Sequence, residues 1–403
     1  MTTLSAKVST NLNGNWNYPN SIRAGAGRIK ELADACQNLN IQTPLLVTDP
    51  ALANLPMIEQ AIKQCQNAGL NCGLFSNLQG NPTGQNVADG VTAYKTGKHD
   101  GIIAFGGGSS LDTGKAIALM VGQKADLWDF EDVGDNWTRA DATAIAPVIA
   151  IPTTAGTGSE VGRASVITDE THRVKRIIFH PKMLPSIVIL DAELTTGLPP
   201  HITAATGMDA LSHNLEAFCT PAYHPMADGI ALEGIRLVKD YLPRAFINGQ
   251  DMEARSQMLV ASSMGATAFQ KGLGGMHALA HTLGALYDAH HGLLNAILMP
   301  YVLKANQPAI EPHIERLNRY LDLPDPSFDG FMDWVLELRK QLNIPHTLST
   351  LSIDDSQAKR VGEMAVRDAA AGGNPITFSA DQYSDIFLKA VQGKLDKPAR
   401  QKN

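Results

Sequence analysis

The feature that most constrains the fold of this chain is an apolar segment that runs directly into a glycine turn and then into a helix. Gly101 to Phe105 is continuously apolar, and Gly106-Gly107-Gly108-Ser109 follows without a break. Glycine lets the backbone approach a ligand closely, and the free N–H groups at the start of a helix favour phosphate. The pattern predicts a buried strand, a phosphate-binding turn and a helix through Met120, although plain tight turns contain the same glycines.

Strand and helix patterns alternate throughout the first half of the chain. The predicted strands are 43–49, 72–75, 101–105, 148–151 and 187–190. The predicted helices are 28–38, 58–67, 85–96 and the helix after the glycine turn. Alternation of this kind indicates a parallel sheet with helices on its faces. We expect the strand 187–190, which leads to Asp191, to close the sheet.

A second loop follows the strand 148–151. Pro152 to Glu160 is rich in small and hydroxyl residues, so it can surround a cofactor without steric conflict, and the alternative is a long surface turn. Residues 164–168 and 174–179 predict a β-hairpin. From Thr196 onward the patterns are helical, and a chain of 403 residues exceeds the usual limit for one hydrophobic core. We therefore expect an α/β domain at 1–194 and a helical domain at 195–403.

Composition excludes several classes of partner. The formal net charge of -7 and the lack of a basic segment argue against nucleic-acid and membrane partners. The four cysteines have neither C-x-x-C spacing nor a framework for bridges, so we expect free thiols in the cytoplasm. Residues 1–20 are polar, and they show no apolar core of a signal peptide or transmembrane segment.

Paired metal-binding side chains recur in the helical half. Asp209 and His213 stand four residues apart, as do His277 and His281, and His290-His291 follows. Residues four apart share one face of a helix. A single histidine in a helix rich in alanine and leucine is more often an ordinary hydrogen-bonding residue. Two such pairs on apolar helices would bury several polar groups without partners, which is costly, so a shared divalent metal is the favoured interpretation.

Together these motifs resemble the iron-dependent (group III) alcohol dehydrogenases. The residues that carry the likeness are the glycine turn with Ser109, Asp112 and Lys115, the loop from Pro152, the Asp209/His213 helix and the later histidines. The likeness extends from Thr48-Asp49 to Gly372-Gly373-Asn374-Pro375. It implies an N-terminal dinucleotide-binding α/β domain with a parallel sheet and an all-α C-terminal metal-binding domain, the dehydroquinate-synthase-like architecture. It also implies that the metal and the nicotinamide meet between the domains, and that the protein is a homodimer.

The resemblance assigns roles to individual residues. The implied metal ligands are Asp209, His213, His277 and His291. His290 stands where relatives commonly have another residue and is not assigned as a ligand. His281 matches a family histidine near the nicotinamide, where a neutral imidazole can relay the alcohol proton; the alternative is a ring that only supports the site. The implied cofactor-binding residues are Asp49, Gly106, Gly107, Gly108, Ser109, Asp112, Thr153, Thr154, Ser159 and Lys175.

The expected reaction is hydride transfer between NAD(H) and a small primary or secondary alcohol or its carbonyl product. A divalent ion lowers the pKa of an alcohol and polarises a carbonyl, while the nicotinamide carries the hydride. Fe²⁺ is the namesake metal of the family, and Zn²⁺ is the alternative because affinity alone favours it. Asp49 is expected to accept hydrogen bonds from the adenosine ribose and to repel a 2′-phosphate, which predicts NAD rather than NADP. It can also cap the turn before Pro50.

Two related activities stay open, a dehydroquinate-synthase-like lyase and a polyol dehydrogenase of the glycerol type. The lyase substrate is an anionic sugar acid that needs several Lys or Arg contacts, whereas Met276, Leu279 and Leu283 make the segments around the ligands mainly apolar. Lys271 and Arg163 are the candidates to pair with the acid group of an aldehyde acid, and both are otherwise expected at the surface. A non-catalytic binding protein would have lost ligands or the glycine turn, and neither is lost.

Overall fold

The computed structural model describes residues 20–172 and 174–395, which form two compact units. The sheet unit contains the described residues up to Thr203 together with Arg244–Thr267. The helical unit contains Ala204–Pro243 and the described residues from Ala268 onward. The predicted domain boundary after Leu194 stays a prediction, because the compact units group Arg244–Thr267 with the N-terminal part of the chain.

A parallel sheet forms the centre of the sheet unit, as predicted. The strands in chain order are β1 (Ser21–Ala24), β2 (Pro44–Val47), β3 (Gly73–Phe75), β4 (Gly101–Gly106), β5 (Val148–Pro152), β6 (Ala164–Asp169), β7 (Val174–Phe179) and β8 (Ile187–Leu190). Six of the strands in the described residues join this sheet in the order β1-β8-β5-β4-β2-β3, and every pairing in it is parallel. The carboxyl ends of its strands therefore meet at one edge.

Among the described residues, the strand 187–190 is the last strand of the sheet along the chain, as predicted, but it does not lie at an edge of the sheet. β8 lies inside the sheet, because β1 pairs with its outer side with Ser21 opposite Ile187 and Ala24 opposite Leu190. The residues of β1 gave no apolar signal: its burial pattern is mostly exposed, and Ile22 is 37% exposed. An edge strand can keep polar and charged side chains, so hydrophobic pattern alone did not reveal it.

Helices cover both faces of the sheet. They are α1 (Leu32–Asn38), α2 (Pro50–Ala53), α3 (Pro56–Asn67), α4 (Gly84–Thr96) and α5 (Gly108–Met120). Along β4, Ile102 and Ala104 belong to one buried cluster with α5, and Ile103 and Phe105 belong to another with α1 and α3. Successive side chains of a strand point to opposite faces, and all of β4 is buried. Parallel sheets are typically covered by helices on both faces in this way.

The predicted hairpin is present beside the main sheet. β6 and β7 pair antiparallel, with Ala164 opposite Phe179 and Asp169 opposite Val174. Arg173, in the predicted turn, lies outside the described residues. The predicted helix at 28–38 begins as a 3-10 turn, Arg28–Glu31, before α1.

The second half of the chain is helical, as predicted. Its helices are α6 (Pro200–Cys219), α7 (Pro225–Ile247), α8 (Met252–Ala268), α9 (Gly275–Tyr287), α10 (His291–Tyr320), α11 (Phe328–Gln341), α12 (Ala358–Ala365) and α13 (Ala380–Gln392). Among the described residues, we find no helix with the length and apolar character needed to cross a membrane.

Candidate metal centre and dinucleotide turn

Four side chains singled out in the sequence converge in the helical unit. Asp209 and His213 lie one turn apart on α6, His277 lies in the first turn of α9, and His291 is the first residue of α10. Each offers one ligand atom, and these four atoms all lie within 4.8 Å of one another. The first three residues are buried and His291 is half-buried. Three imidazole nitrogens and a carboxylate oxygen thus surround one point, an arrangement that suits a divalent ion.

The electrostatics of the centre favour metal-binding protonation states. Burial would raise the pKa of Asp209, but the imidazoles of His213, His291 and His277 outweigh burial and hold this pKa at about 2. Burial, together with the neighbouring His213, holds the pKa of His277 well below its usual value. At neutral pH the centre presents an ionised carboxylate and a neutral imidazole, which are the forms that bind metals.

The side-chain amide of Asn295, which was not predicted from the sequence, faces three of the ligand atoms. Its Nδ2 lies 2.8 Å from Asp209 Oδ1 and 3.2 Å from Nε2 of both His277 and His291. Asn295 is fully buried, and its own Oδ1 has no hydrogen-bond partner among the described residues. Three of the ligand-type atoms thus surround one amide group. Asn295 follows His291 by four residues, so helical spacing was an available signal.

Glu216 is a second residue of the centre that was not predicted. Its Oε2 lies 2.7 Å from Nδ1 of His277, so the ring donates its Nδ1 proton and directs an Nε2 lone pair to the centre. Carboxylates commonly hold metal-binding histidines in this way. Burial raises the pKa of Glu216 to about 7. Glu216 stands three residues after His213 on the same helix.

His281 lies beside the centre and is not one of the four converging residues. Its ring stacks on that of His291 with centroids 5.2 Å apart and an interplanar angle of 13°. Its Nδ1 lies 3.1 Å from Asp368 Oδ2. Burial would raise the pKa of Asp368, but the charge of His281 and its hydrogen bond lower it. Asp368, another residue that the sequence did not reveal, thus holds the His281 ring by one nitrogen.

Three other basic residues from the sequence have contacts of their own. His290 is exposed and caps α10, where its Nδ1 accepts a backbone N–H of the first turn at 3.4 Å. The expectation that Lys271 lies at the surface was wrong: its side chain is 3% exposed, and its Nζ lies 2.6 Å from Asp228 Oδ1. The Arg163 guanidinium lies over the Phe179 ring, 5.5 Å from the centroid. The positive charge of Lys271 is therefore compensated within the protein.

The predicted strand, glycine turn and helix are all present, and the turn lies at the carboxyl end of β4, at the edge of the sheet where the carboxyl ends of its strands meet. β4 ends at Gly106, whose φ is +145°, and a Cβ there would lie 2.5 Å from Ser110 Oγ. A Cβ on Gly108 would lie 2.7 Å from Thr157 Cγ2. Gly107 precedes α5, and no side chain of the described residues caps this helix end. The turn thus exposes backbone N–H groups in a space that only glycines leave open, which fits a phosphate.

The loop after β5 borders this turn. The N–H of Thr153 donates to the carbonyl of Gly106 at 3.0 Å. The side chain of Thr154 lies 3.5 Å from the position of a Cβ on Gly107. The Ser109 hydroxyl donates to the Gly80 carbonyl. Predicted cofactor-binding residues from two separate segments are thus brought together at the turn.

Asp112 and Ser159 are bonded to each other. Ser159 Oγ donates to Asp112 Oδ1 at 2.5 Å, and the Val166 N–H donates to Asp112 Oδ2 at 2.9 Å. Lys115 Nζ also lies 3.2 Å from Oδ1. Both carboxylate oxygens of Asp112 are therefore engaged, and they fasten the loop and β6 to α5.

Asp49 lies beside the glycine turn even though it precedes it by many residues. Its Oδ1 caps α2 by accepting the N–H groups of Ala51 and Leu52 at 3.0 and 3.1 Å. Its Oδ2 lies 3.4 Å from Ser110 Oγ, at the start of α5. The two carboxylate oxygens of Asp49 therefore have different contacts, the cap of α2 for one and Ser110 for the other. Lys175 lies on β7, with its Nζ 2.7 Å from Asn81 Oδ1.

Comparison with known proteins agrees with this arrangement of residues. The model of the family "Iron-containing alcohol dehydrogenase" matches residues 19–192, and that of "Fe-containing alcohol dehydrogenase family, C-terminal" matches residues 203–391. A 4-hydroxybutyrate dehydrogenase of Cupriavidus necator is 38% identical over 93% of this chain and 99% of its own length. Alcohol dehydrogenase 4 of Saccharomyces cerevisiae (strain YJM789) is 33% identical over 91% of this chain and 96% of its own.

The likeness extends to solved structures. The crystal structure of a 1,3-propanediol oxidoreductase is 32% identical, with a TM-score of 0.89, and covers 93% of this chain and 99% of its own. Both halves of the chain match the family models, the family's name implies a metal, and four ligand-type side chains converge in the helical unit. The chain belongs to the iron-containing alcohol dehydrogenase family and is an oxidoreductase that acts on alcohols.

Proposed function

We propose that this protein is a metal- and NAD-dependent dehydrogenase that interconverts a small alcohol and its carbonyl product. The observation that carries the proposal is the convergence of Asp209, His213, His277 and His291, whose ligand atoms lie within 4.8 Å of one another. These four residues are the proposed metal ligands. The donor set contains no thiolate, and Fe²⁺ is the proposed native metal, with Zn²⁺ the alternative.

The bound ion would supply a Lewis acid for the alcohol or carbonyl oxygen, and NAD(H) would carry the hydride. Asn295 donates to Asp209 Oδ1 at 2.8 Å and so holds this carboxylate in place. His281 is the proposed proton relay: because its Nδ1 faces Asp368, the alcohol proton is accepted at Nε2. The charge of Asp368 stabilises the imidazolium that results. Met276, Leu279 and Leu283, on the same helix as His281, are buried.

The glycine turn is the proposed pyrophosphate site. Gly106, Gly107 and Gly108 offer backbone N–H groups at the start of α5, with Ser109, Thr153 and Thr154 around them. Asp112 and Ser159 support this site through their mutual hydrogen bond. Asp49 is proposed to select NAD. Its Oδ2 lies beside Ser110 at the start of α5, close to the proposed pyrophosphate site, where its negative charge would repel a 2′-phosphate. Lys175 is the remaining proposed cofactor contact.

The proposed substrate is a short alcohol with a terminal hydroxyl. Relatives that match this chain are named for 4-hydroxybutyrate, methanol and 1,3-propanediol. All three compounds have a primary hydroxyl on a short chain. An acid group on the substrate would need a cation other than Lys271, because Lys271 is paired with Asp228. The homodimer and the cytoplasmic location stay predictions, and light scattering of the purified protein tests the first.

The test is anaerobic purification, metal analysis and a substrate panel. NADH formation is followed with methanol, 1-butanol, 1,3-propanediol, 4-hydroxybutyrate and glycerol, and NADH consumption with the matching aldehydes. The proposal predicts one divalent ion per chain and turnover that is lost on chelation and restored by Fe²⁺ or Zn²⁺. Turnover that persists after complete metal removal, or the absence of any NAD-linked oxidation in the panel, contradicts it.

A further inference from the structure

Helix α9, which carries His277, begins without a capping side chain of its own. Its N-cap is Gly274 and its first residue is Gly275, so neither supplies a side-chain acceptor for the free N–H groups of the first turn. A Cβ on Gly274 would lie 2.9 Å from Glu216 Oε1 and 3.0 Å from Asn374 Oδ1. The glycines leave room for acceptors that come from other segments of the helical unit.

Glu216 on α6 supplies most of these acceptors. Its Oε2 accepts the N–H of Gly274 at 2.8 Å, and its Oε1 accepts the N–H of Met276 at 2.7 Å. Asn374 Oδ1 accepts the N–H of Gly275 at 2.9 Å. A helix N-terminus favours a negative charge, which reduces the cost of burying a carboxylate that is only 7% exposed. One side chain thus organises the start of α9.

The same carboxylate orients the His277 ring. Nδ1 of His277 lies 2.7 Å from Glu216 Oε2, so the proton resides on Nδ1 and Nε2 keeps a free electron pair. Nε2 lies 4.0 Å from Asp209 Oδ1, on the side of the centre. Glu216 is not among the four converging residues, and both of its oxygens already accept hydrogen bonds from backbone N–H groups at the start of α9. It therefore acts on the centre through His277.

We propose that Glu216 is a positioning residue that sets the metal affinity of the centre through the tautomer and orientation of His277. This inference rests on the proposed function, because it takes the four converging side chains to be metal ligands. Without Glu216, the buried ring is free to place its proton on Nε2, which blocks the lone pair. Carboxylate partners of ligating histidines commonly contribute about 10- to 100-fold in metal affinity.

The test compares E216Q with N374A, both freed of metal by chelation and titrated with Zn²⁺. E216Q keeps the size of the side chain but replaces one acceptor oxygen with a donor. It is expected to raise the Kd for Zn²⁺ by about 10- to 100-fold. Asn374 is the matched control, because its Oδ1 accepts from Gly275 at the same helix start and from Asn306. N374A is expected to lower the unfolding temperature and leave the Kd unchanged.

Two further readouts separate positioning from general stability. In metal-free protein labelled with ¹⁵N-histidine, wild-type His277 is expected to be protonated at Nδ1, and E216Q is expected to shift the ring toward the Nε2-protonated form. In an H277A background, E216Q is expected to cause no additional loss of Zn²⁺ affinity, since the partner it acts through is absent. If E216Q does not fold, E216D replaces it in each measurement, because it keeps the charge on a shorter side chain.

An unchanged Kd and an unchanged His277 tautomer in the folded variant would overturn the inference. An equal loss of affinity in N374A would overturn it as well, because loosening of the helix start would then account for the effect. Failure of the proposed function has a different signature. Wild type and H277A would then give the same Zn²⁺ titration, with no ion bound at the centre in either protein.

Discussion

The glycine turn of the sheet unit and the proposed metal centre of the helical unit achieve their geometry in opposite ways. The turn uses the backbone of contiguous residues, Gly106 to Gly108, and its shape depends on side chains being absent. The centre uses side chains from three helices, with proposed ligands that span Asp209 to His291. Buried polar partners such as Glu216 and Asn295 then hold those side chains. An added methyl group should therefore damage the turn, while lost donors should damage the centre.

The largest effect is expected at the ligands, where neighbouring histidines offer a matched pair. His291 belongs to the converging set, whereas His290 caps α10 from an exposed position. H291A should lose bound metal and all measurable turnover, because the centre loses a donor. H290A should keep its metal and lose at most about 1 kcal/mol of stability, as for a lost N-cap. Metal analysis and NADH formation on both folded variants provide the comparison, and equal metal content in the two disproves the ligand assignment.

The next largest effect concerns His281. Loss of a general acid–base group typically reduces the rate by about 10²- to 10⁴-fold, so H281Q should lower kcat by that amount while its metal content stays normal. D368N should cause a smaller loss, because the ring remains and only its charged partner is removed. Steady-state kinetics with metal analysis distinguishes a proton-relay role of His281 from a supporting role. A kcat near wild type in H281Q would leave the ring with a supporting role only.

Cofactor choice should respond to Asp49 by an intermediate amount. Asp49→Gly should raise the NADP-to-NAD ratio of kcat/KM by roughly one to three orders of magnitude, since a like-charge clash with the 2′-phosphate is removed. Asp49→Ser is the control for the helix cap, because a hydroxyl still accepts the N–H groups at the start of α2. Both variants should shift the ratio. A wild type that already prefers NADP, or a ratio that stays constant, removes Asp49 as the selector.

The smallest effect is expected from a single methyl group in the turn. In G106A the new Cβ meets Ser110 Oγ at 2.5 Å in a left-handed backbone conformation, a strain of about 1–3 kcal/mol. If the strain is relieved by moving the turn, NAD affinity should fall by about tenfold, which corresponds to about 1.4 kcal/mol. The control is G197A, because Gly197 has open space around its Cβ position. Calorimetric titration measures the NAD affinity of both variants. Equal affinities would contradict the proposal that the backbone of the glycine turn binds the cofactor.

The comparison also explains what the sequence could reveal. The strand, turn and helix around Gly106 are contiguous, so apolar pattern and glycine spacing predicted them. The spacing of Asp209 and His213, and of His277 and His281, indicated a metal centre, but assigning His291 and setting aside His281 depended on family resemblance. Asn295 stands four residues after His291, so helical spacing could have suggested it. Glu216 and Asp368 instead act over long separations in the chain, as in the bond between His281 and Asp368. No local pattern marks such pairs, and β1 was missed because an edge strand need not be apolar.

The central claim is that Asp209, His213, His277 and His291 bind one divalent ion. Anomalous diffraction from crystals grown with Fe²⁺ under anaerobic conditions, recorded above and below the iron K-edge, tests it directly. The account predicts a single strong peak at this centre, about 2.0–2.2 Å from one carboxylate oxygen of Asp209 and from one nitrogen of each imidazole. A crystal with full iron content and no peak at this point, or a peak coordinated by other residues, would contradict it.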